Sequence, residues 1–262
     1  MRYSAIFIDI DDTLLDYVPC CREAFDAAMR ELTNEGMNEL TNERMNEDAP
    51  LQDAADAATG ERDAALFDLF FSISGRLFSE AKRGLHTIAE VMELYPAEFI
   101  ARMSEQCGQT LTEEEHARRT EIFKHAFRAA WGKTHTLVPG TVETLDALQR
   151  SGYRLFAASN SFGHLQRSRL EHAGILRYFE DTYISMDIGY DKPDVRFYQE
   201  ALRRCALSPQ DVLMVGDSMT TDIVGAQKAG LDAVYFNRRN EPVNSDTPLI
   251  VIYSLPELLN HV

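Results

Sequence analysis

A short apolar run, Tyr3 to Ile8, ends in the acidic tract Asp9-Ile10-Asp11-Asp12-Thr13, and the next comparable strand signals lie more than a hundred residues further on. Six such residues fit a buried strand. From about Pro19 to Thr134 the chain reads as mostly helical. Regular alternation begins only after Pro139-Gly140. Helices are expected over Thr141 to Arg150, Gly163 to His172, Asp194 to Ala206 and Thr221 to Ala229, three of them stopped by Gly152, Gly174 and Gly230. Strands are expected over Tyr153 to Ala158, Tyr183 to Ser185, Val212 to Val215, Ala233 to Phe236 and Leu249 to Ile252, with a last short helix over Leu255 to Asn260. Repeated strand–helix pairs imply a parallel sheet covered by helices on both faces. The isolated first strand joins that sheet if the chain leaves and returns. The expected fold is therefore α/β: a doubly wound parallel sheet from residues 1–16 and 136–262, interrupted by an α-helical insert over 17–135.

The insert carries a tandem duplication. Leu32-Thr33-Asn34-Glu35-Gly36-Met37-Asn38-Glu39 is followed by Leu40-Thr41-Asn42-Glu43-Arg44-Met45-Asn46-Glu47, identical at seven of eight positions. Between Glu31 and Asp68 stand 11 acidic and 2 basic residues, whereas the rest of the insert has 11 of each. The acid of the insert is thus concentrated at 31–68, which reads as a solvated expansion rather than a docking patch. Two copies are too few for a solenoid.

Charge narrows the function. With 26 Lys+Arg against 42 Asp+Glu the formal net charge is −16. So acidic a chain is a poor partner for nucleic acid polymers or anionic membranes, both of which call for basic surface. No apolar run reaches the length of a membrane span. Asp9, Asp11 and Asp12 fall where a secretory leader needs apolar residues. Cys20, Cys21, Cys107 and Cys205 form no Cys-x-x-Cys pair and read as reduced, mostly buried thiols, so a cytoplasmic setting is expected.

Four stretches carry chemistry. Asp9 and Asp11 follow the first strand and project to the same side of an extended chain. Such a pair can share a divalent cation or divide nucleophilic and acid–base roles, although an Asp-rich strand end can also simply cap a turn. An EF-hand loop is excluded, because Leu14 and Cys20 stand where it needs Gly and Glu. Next, Ser159-Asn160 ends a strand with a hydroxyl and an amide suited to phosphate oxygens, or to a turn. Lys192 precedes Pro193 in a loop. Finally, Val212 to Val215 runs into Gly216-Asp217, with Asp222 five residues on. All four are expected at the ends of separate strands of one parallel sheet, where open α/β sheets bind ligands. Their sum of carboxylates, hydroxyl, amide and lysine is an inventory for phosphoryl transfer with a hard metal ion. Gly132-Lys133-Thr134 mimics the end of a P-loop, but Phe127 stands where that loop needs Gly.

In this combination and order the sequence resembles the haloacid dehalogenase-like (HAD) hydrolase superfamily: Asp9-x-Asp11-x-Thr13, Ser159, Lys192 before Pro193, and Gly216-Asp217-x-x-x-x-Asp222. The resemblance implies a Rossmann-like core and makes the insert a helical cap placed after the first motif. The wording of the first motif and Asn160 resemble the pyrimidine 5′-nucleotidase branch. Where the family often has Gly between the second Asp and Thr, this chain has Asp12. By resemblance, Asp9 is the nucleophile that forms an aspartyl-phosphate, and Asp11 is the acid and base. Mg²⁺ is held by Asp9, the Asp11 carbonyl, Asp217 and Asp222, while Ser159, Asn160 and Lys192 bind the substrate phosphate. The implied function is Mg²⁺-dependent hydrolysis of a small phosphorylated metabolite, a nucleoside 5′-monophosphate among the candidates. The alternatives are a phosphomutase or a sugar-phosphate or phosphoglycolate phosphatase. A non-catalytic scaffold would have no need of Asp9, Asp11, Lys192 and Asp217 together. No motif marks the substrate-selecting residues of the insert; Tyr17, Phe70, Phe71, Arg76, Trp131 and His135 are candidates, most of them better suited to a core.

Overall fold

The structure, a computed structural model, describes residues 2–34, 52–243 and 249–262. All but the first three residues of the duplicated segment lie outside the described residues. The chain divides into two compact units, Met1–Cys20 with Gly132–Val262, and Cys21–Trp131.

The first unit is built on six parallel strands: β1 (Ala5–Ile8), β2 (Arg154–Ser159), β3 (Asp181–Ile184), β4 (Val212–Gly216), β5 (Asp232–Phe236) and β6 (Ile250–Ile252). Their order is β3-β2-β1-β4-β5-β6, the doubly wound arrangement expected from the alternation. The first strand takes the centre: Ala5 pairs with Arg154 on one side and Val212 on the other, and Ile8 with Ala157 and Val215. Strand order reverses between β1 and β4, so a crevice opens beyond their carboxyl ends.

Period-two alternation divides the strand residues between two apolar layers. Ile6, Ile8, Leu155, Ala157, Leu213, Val215, Val234 and Phe236 face one layer, completed by Leu145 and Leu148 of α5 (Thr141–Arg150) and Leu170 of α6 (Gly163–His172). Ala5, Phe7, Phe156, Ala158, Val212, Met214, Ala233 and Tyr235 face the other, with Phe197, Ala201 and Leu202 of α8 (Val195–Cys205). Both sheet faces are thereby closed to water, and each fully buried aliphatic side chain contributes about 1.5–3 kcal/mol.

Two local readings are corrected. The strand read at Tyr183 to Ser185 is β3, which starts at Asp181 against Phe156 and stops before Ser185, because Ser185 opens a one-turn helix, α7 (Ser185–Ile188). The helix read from Thr221 begins earlier, as a π-helical turn over Met219–Val224 followed by α9 (Gly225–Lys228). The last short helix stands where it was expected, over Leu255–Asn260, and is of the 3₁₀ kind.

The second unit holds the greater part of α1 (Tyr17–Asn34) with α2 (Gln52–Lys82), α3 (Ile88–Gln106) and α4 (Glu113–Trp131). Each helix sends one phenylalanine inward. All pairs among Phe25, Phe70, Phe99 and Phe123 have ring centroids 5.0–6.1 Å apart. Phe127 and Trp131, each four residues on along α4, extend the stack. A capping box at Thr87 and Glu90 sets the start of α3. No described helix is long and apolar enough to cross a membrane, and Cys20, Cys21, Cys107 and Cys205, all among the described residues, form no disulfide.

Candidate active site

The end of β1 delivers Asp9 to the sheet centre, where its backbone N–H still bonds to the Val215 carbonyl of β4 at 2.9 Å. The chain then turns back on itself: the N–H groups of Leu14 and Leu15 both donate to the Ile10 carbonyl. Asp12 takes the left-handed conformation this turn requires, φ 58°. That backbone favours glycine, and aspartate is among the few other residues that tolerate it. The Asp12 carboxylate is put to use, accepting from the Tyr17 backbone N–H and from Arg239.

Lys192 organises the site. Its ammonium donates to Asp9 Oδ1 at 2.6 Å, Asp222 Oδ1 at 2.6 Å and the Ala158 carbonyl at 2.8 Å, so all three protons have acceptors inside the protein. It reaches there from a loop beyond α7, eight residues past the end of β3, and not from a strand end as the sequence pattern suggests. Asn160 fixes that loop. Its side-chain amide donates to the Lys192 carbonyl and its amide oxygen accepts from the Lys192 N–H, both at 2.8 Å. Asn160 thus commits one N–H and its oxygen to the Lys192 backbone.

Asp222 is buried in the π-helical turn. Its second oxygen accepts from the Ser218 N–H at 3.0 Å. The Tyr198 hydroxyl of α8 donates to the neighbouring Thr221 carbonyl and anchors the turn. Gly216 makes room: a β-carbon there would lie 2.4 Å from Asp222 Oδ2. Oxygen atoms of Asp9, Asp217 and Asp222 all lie within 4.8 Å of one another. Burial pushes the Asp9 carboxyl up, to about 7, with Lys192 pulling it down and the Asp222 and Asp11 charges pushing it up again. Burial also opposes the Lys192 charge, but Asp222 and Asp9 outweigh it and hold the ammonium above the ordinary lysine range. With all three carboxylates ionised, as ligation of a cation requires, the cluster would carry a net charge of −2 against its one ammonium. Hard oxygen donors with that surplus fit a hard divalent cation.

Asp11 and Ser159 belong to a second cluster that the sequence pattern does not disclose. Gln166 Nε2 donates to Asp11 Oδ2 at 2.7 Å and to Ser159 Oγ at 3.0 Å, while Arg169 Nη1 donates to Asp11 Oδ1 at 2.6 Å. Arg169 Nε reaches Thr134 Oγ1, so the residue that mimicked a P-loop end serves this network instead. The one available signal was positional. Gln166 and Arg169 share a helix face with buried Leu170, at spacings of four and one, directly after Ser159-Asn160. Among the insert candidates, Phe70 and Trp131 are buried in the helical core, and Arg76 pairs with Glu80 and Glu98.

The family model for hydrolases of the haloacid dehalogenase-like type matches residues 3–230. The chain belongs to the haloacid dehalogenase-like hydrolase family. Among its relatives is the pyrimidine 5′-nucleotidase PynA of Streptococcus pneumoniae, 35% identical over 46% of this chain and 52% of that protein. A glyceraldehyde 3-phosphate phosphatase of Methanothermobacter thermautotrophicus is 38% identical over 38% of this chain and 44% of its own. The matches to these two relatives thus span about half of their length. The Bacillus subtilis HAD-hydrolase YfnB is 26% identical over 98% of this chain and 94% of its own. Its magnesium-bound crystal structure aligns over 100% of this chain and 99% of its own at a TM-score of 0.74 and 25% identity. The six-stranded sheet and the helical unit of this haloacid dehalogenase-like hydrolase accord with that fold.

Proposed function

We propose that this hydrolase cleaves phosphate monoesters through a covalent intermediate on Asp9. The observation that carries the reading is the Lys192 ammonium held 2.6 Å from both Asp9 and Asp222, beside Asp217, with a second carboxylate two residues beyond Asp9. Asp9 attacks phosphorus in line while the bond to the leaving oxygen breaks, and Asp11 delivers a proton to that oxygen. Asp11 then takes a proton from the water that attacks phosphorus, and the Asp9–phosphorus bond breaks to release phosphate. Ser159 holds a phosphoryl oxygen, Lys192 exchanges its bond to Asp9 for one to a phosphoryl oxygen when substrate enters, and Asn160 acts through the Lys192 backbone. Mg²⁺, held by Asp9, Asp217, Asp222 and the Asp11 carbonyl, would supply neutralisation of the phosphoryl charge.

The substrate class favoured is a pyrimidine nucleoside 5′-monophosphate, on the likeness to the pneumococcal nucleotidase and the Ser159-Asn160 wording of the second motif. The likeness to the glyceraldehyde 3-phosphate phosphatase of Methanothermobacter thermautotrophicus supports a second reading, a triose or sugar phosphate. A phosphate-release panel with Mg²⁺ separates them. Nucleotides should lead, sugar phosphates should follow weakly, and phosphodiesters should not react. A sugar phosphate or phosphoglycolate faster than every nucleotide by about tenfold, some 1.4 kcal/mol in transition-state terms, overturns the nucleotide assignment. Chelator should abolish release and Ca²⁺ should compete, because it takes more ligands at longer distance.

A further inference from the structure

Helix α6 buries two polar side chains where its packing against the sheet would be served by apolar ones. Gln166 and Arg169 are both 0% exposed, and they flank the same face as Leu170 of the apolar layer. Burying a guanidinium costs several kcal/mol unless it is well paired, and replacing such a pair by apolar groups often stabilises a protein. The geometry tells where that cost is directed. Both oxygens of Asp11 are engaged from this one helix, Oδ1 by Arg169 at 2.6 Å and Oδ2 by Gln166 at 2.7 Å. The two donors are themselves locked together, Arg169 Nη1 to Gln166 Oε1 at 2.8 Å. Arg169 is braced behind by Thr134, and Gln166 reaches on to Ser159.

We propose that Gln166 and Arg169 are positioning residues, which fix the rotamer of Asp11 and couple it to the Ser159 hydroxyl. The proposal rests on the phosphomonoesterase reading, in which Asp11 protonates the leaving group. Asp11 is 27% exposed at its side chain and stands on a tight turn. Left to itself such a carboxylate samples several rotamers. Two donors on consecutive turns of a helix hold its plane, and the shared Gln166 amide keeps acid and phosphate-binding hydroxyl in register. A displacement of about 1 Å in such a group can cost a hundredfold in rate.

The test compares kcat/KM for an alkyl ester, uridine 5′-monophosphate or the fastest alkyl phosphate of the panel, with that for para-nitrophenyl phosphate, whose leaving group needs little protonation. Arg169→Lys should lower the alkyl value about tenfold to hundredfold and the aryl value at least about fivefold less. In an Asp11→Asn background the same change should cost less than about twofold, since the group it positions is gone. Gln166→Met, which removes an Asp11 donor without leaving a buried charge of its own, should show the same bias toward the alkyl ester. It carries the test if Arg169→Lys fails to fold. Equal losses on both esters, a loss undiminished beside Asp11→Asn, or folded variants of wild-type activity overturn the positioning role while Asp11→Asn itself remains crippled. Wild-type activity in Asp11→Asn instead overturns the general-acid reading, and the positioning role with it.

Discussion

The two units bury opposite kinds of matter. The helical unit closes on Phe25, Phe70, Phe99 and Phe123, one ring from each helix, and among the described residues it buries no charged side chain, its buried polar groups being hydroxyls such as those of Ser74, Ser104 and Thr120. The α/β unit buries Asp9, Arg169, Lys192 and Asp222 as well as its two apolar layers. Aromatic packing of the first kind stabilises, by area and by edge-to-face geometry. Buried ion clusters of the second kind break even at best. The α/β unit carries such a cluster beyond the switch in strand order, where open α/β sheets bind ligands. The contrast separates residues kept for holding the chain together from residues kept at its expense.

Changes on either side of that contrast should act differently. The largest effect is expected at Asp9→Asn: turnover on any monoester should fall by about 10⁴ or more, while the melting temperature stays within a few degrees, because a costly buried charge has been removed. Activity within about tenfold of wild type, on folded protein, would reject the covalent route. Lys192→Met should strike both properties. It strands two buried carboxylates, at a cost of about 3–5 kcal/mol by urea titration, and turnover should be lost with it. Unchanged stability would mean that the cluster is not the energetic unit described. Phe70→Ala should lower stability by a similar amount, about 3–5 kcal/mol, through a cavity rather than a charge. A loss below about 1 kcal/mol would show that the four-ring core is loosely packed. The smallest effect is expected on deleting residues 40–47, the second octapeptide copy, with melting temperature and turnover nearly unchanged. Unfolding on that deletion would move the duplication from expansion to structural part.

The alternation of strands and helices and the four-motif set were legible because both rest on local signals: apolar runs, glycine stops, and polar residues at run ends. Asp9, Ser159 and Asp217 are readable from the strands that precede them. Lys192 was identified but its route was not, since Ser185 to Ile188 spends four residues on a helical turn that no periodicity announces. Gln166 and Arg169 escaped for a different reason. Their helix is short and polar, with Leu170 as the apolar residue of their face, and only the tertiary position of α6 over Asp11 shows what they do. Asn160 was visible as a ligand for phosphate, yet its partner is the Lys192 backbone, a contact set by two distant loops.

Gly216 has an ordinary backbone conformation, so its identity answers to space alone: even alanine would press its methyl into the carboxylate of Asp222. A single hydrogen atom is therefore one wall of the charged cluster. That makes position 216 a lock on the evolutionary path of this chain. Drift can rework the helical unit one ring at a time, through apolar exchanges of similar volume. At 216 no intermediate size exists between glycine and a displaced Asp222, which leaves the site no gradual route to a different acidic geometry.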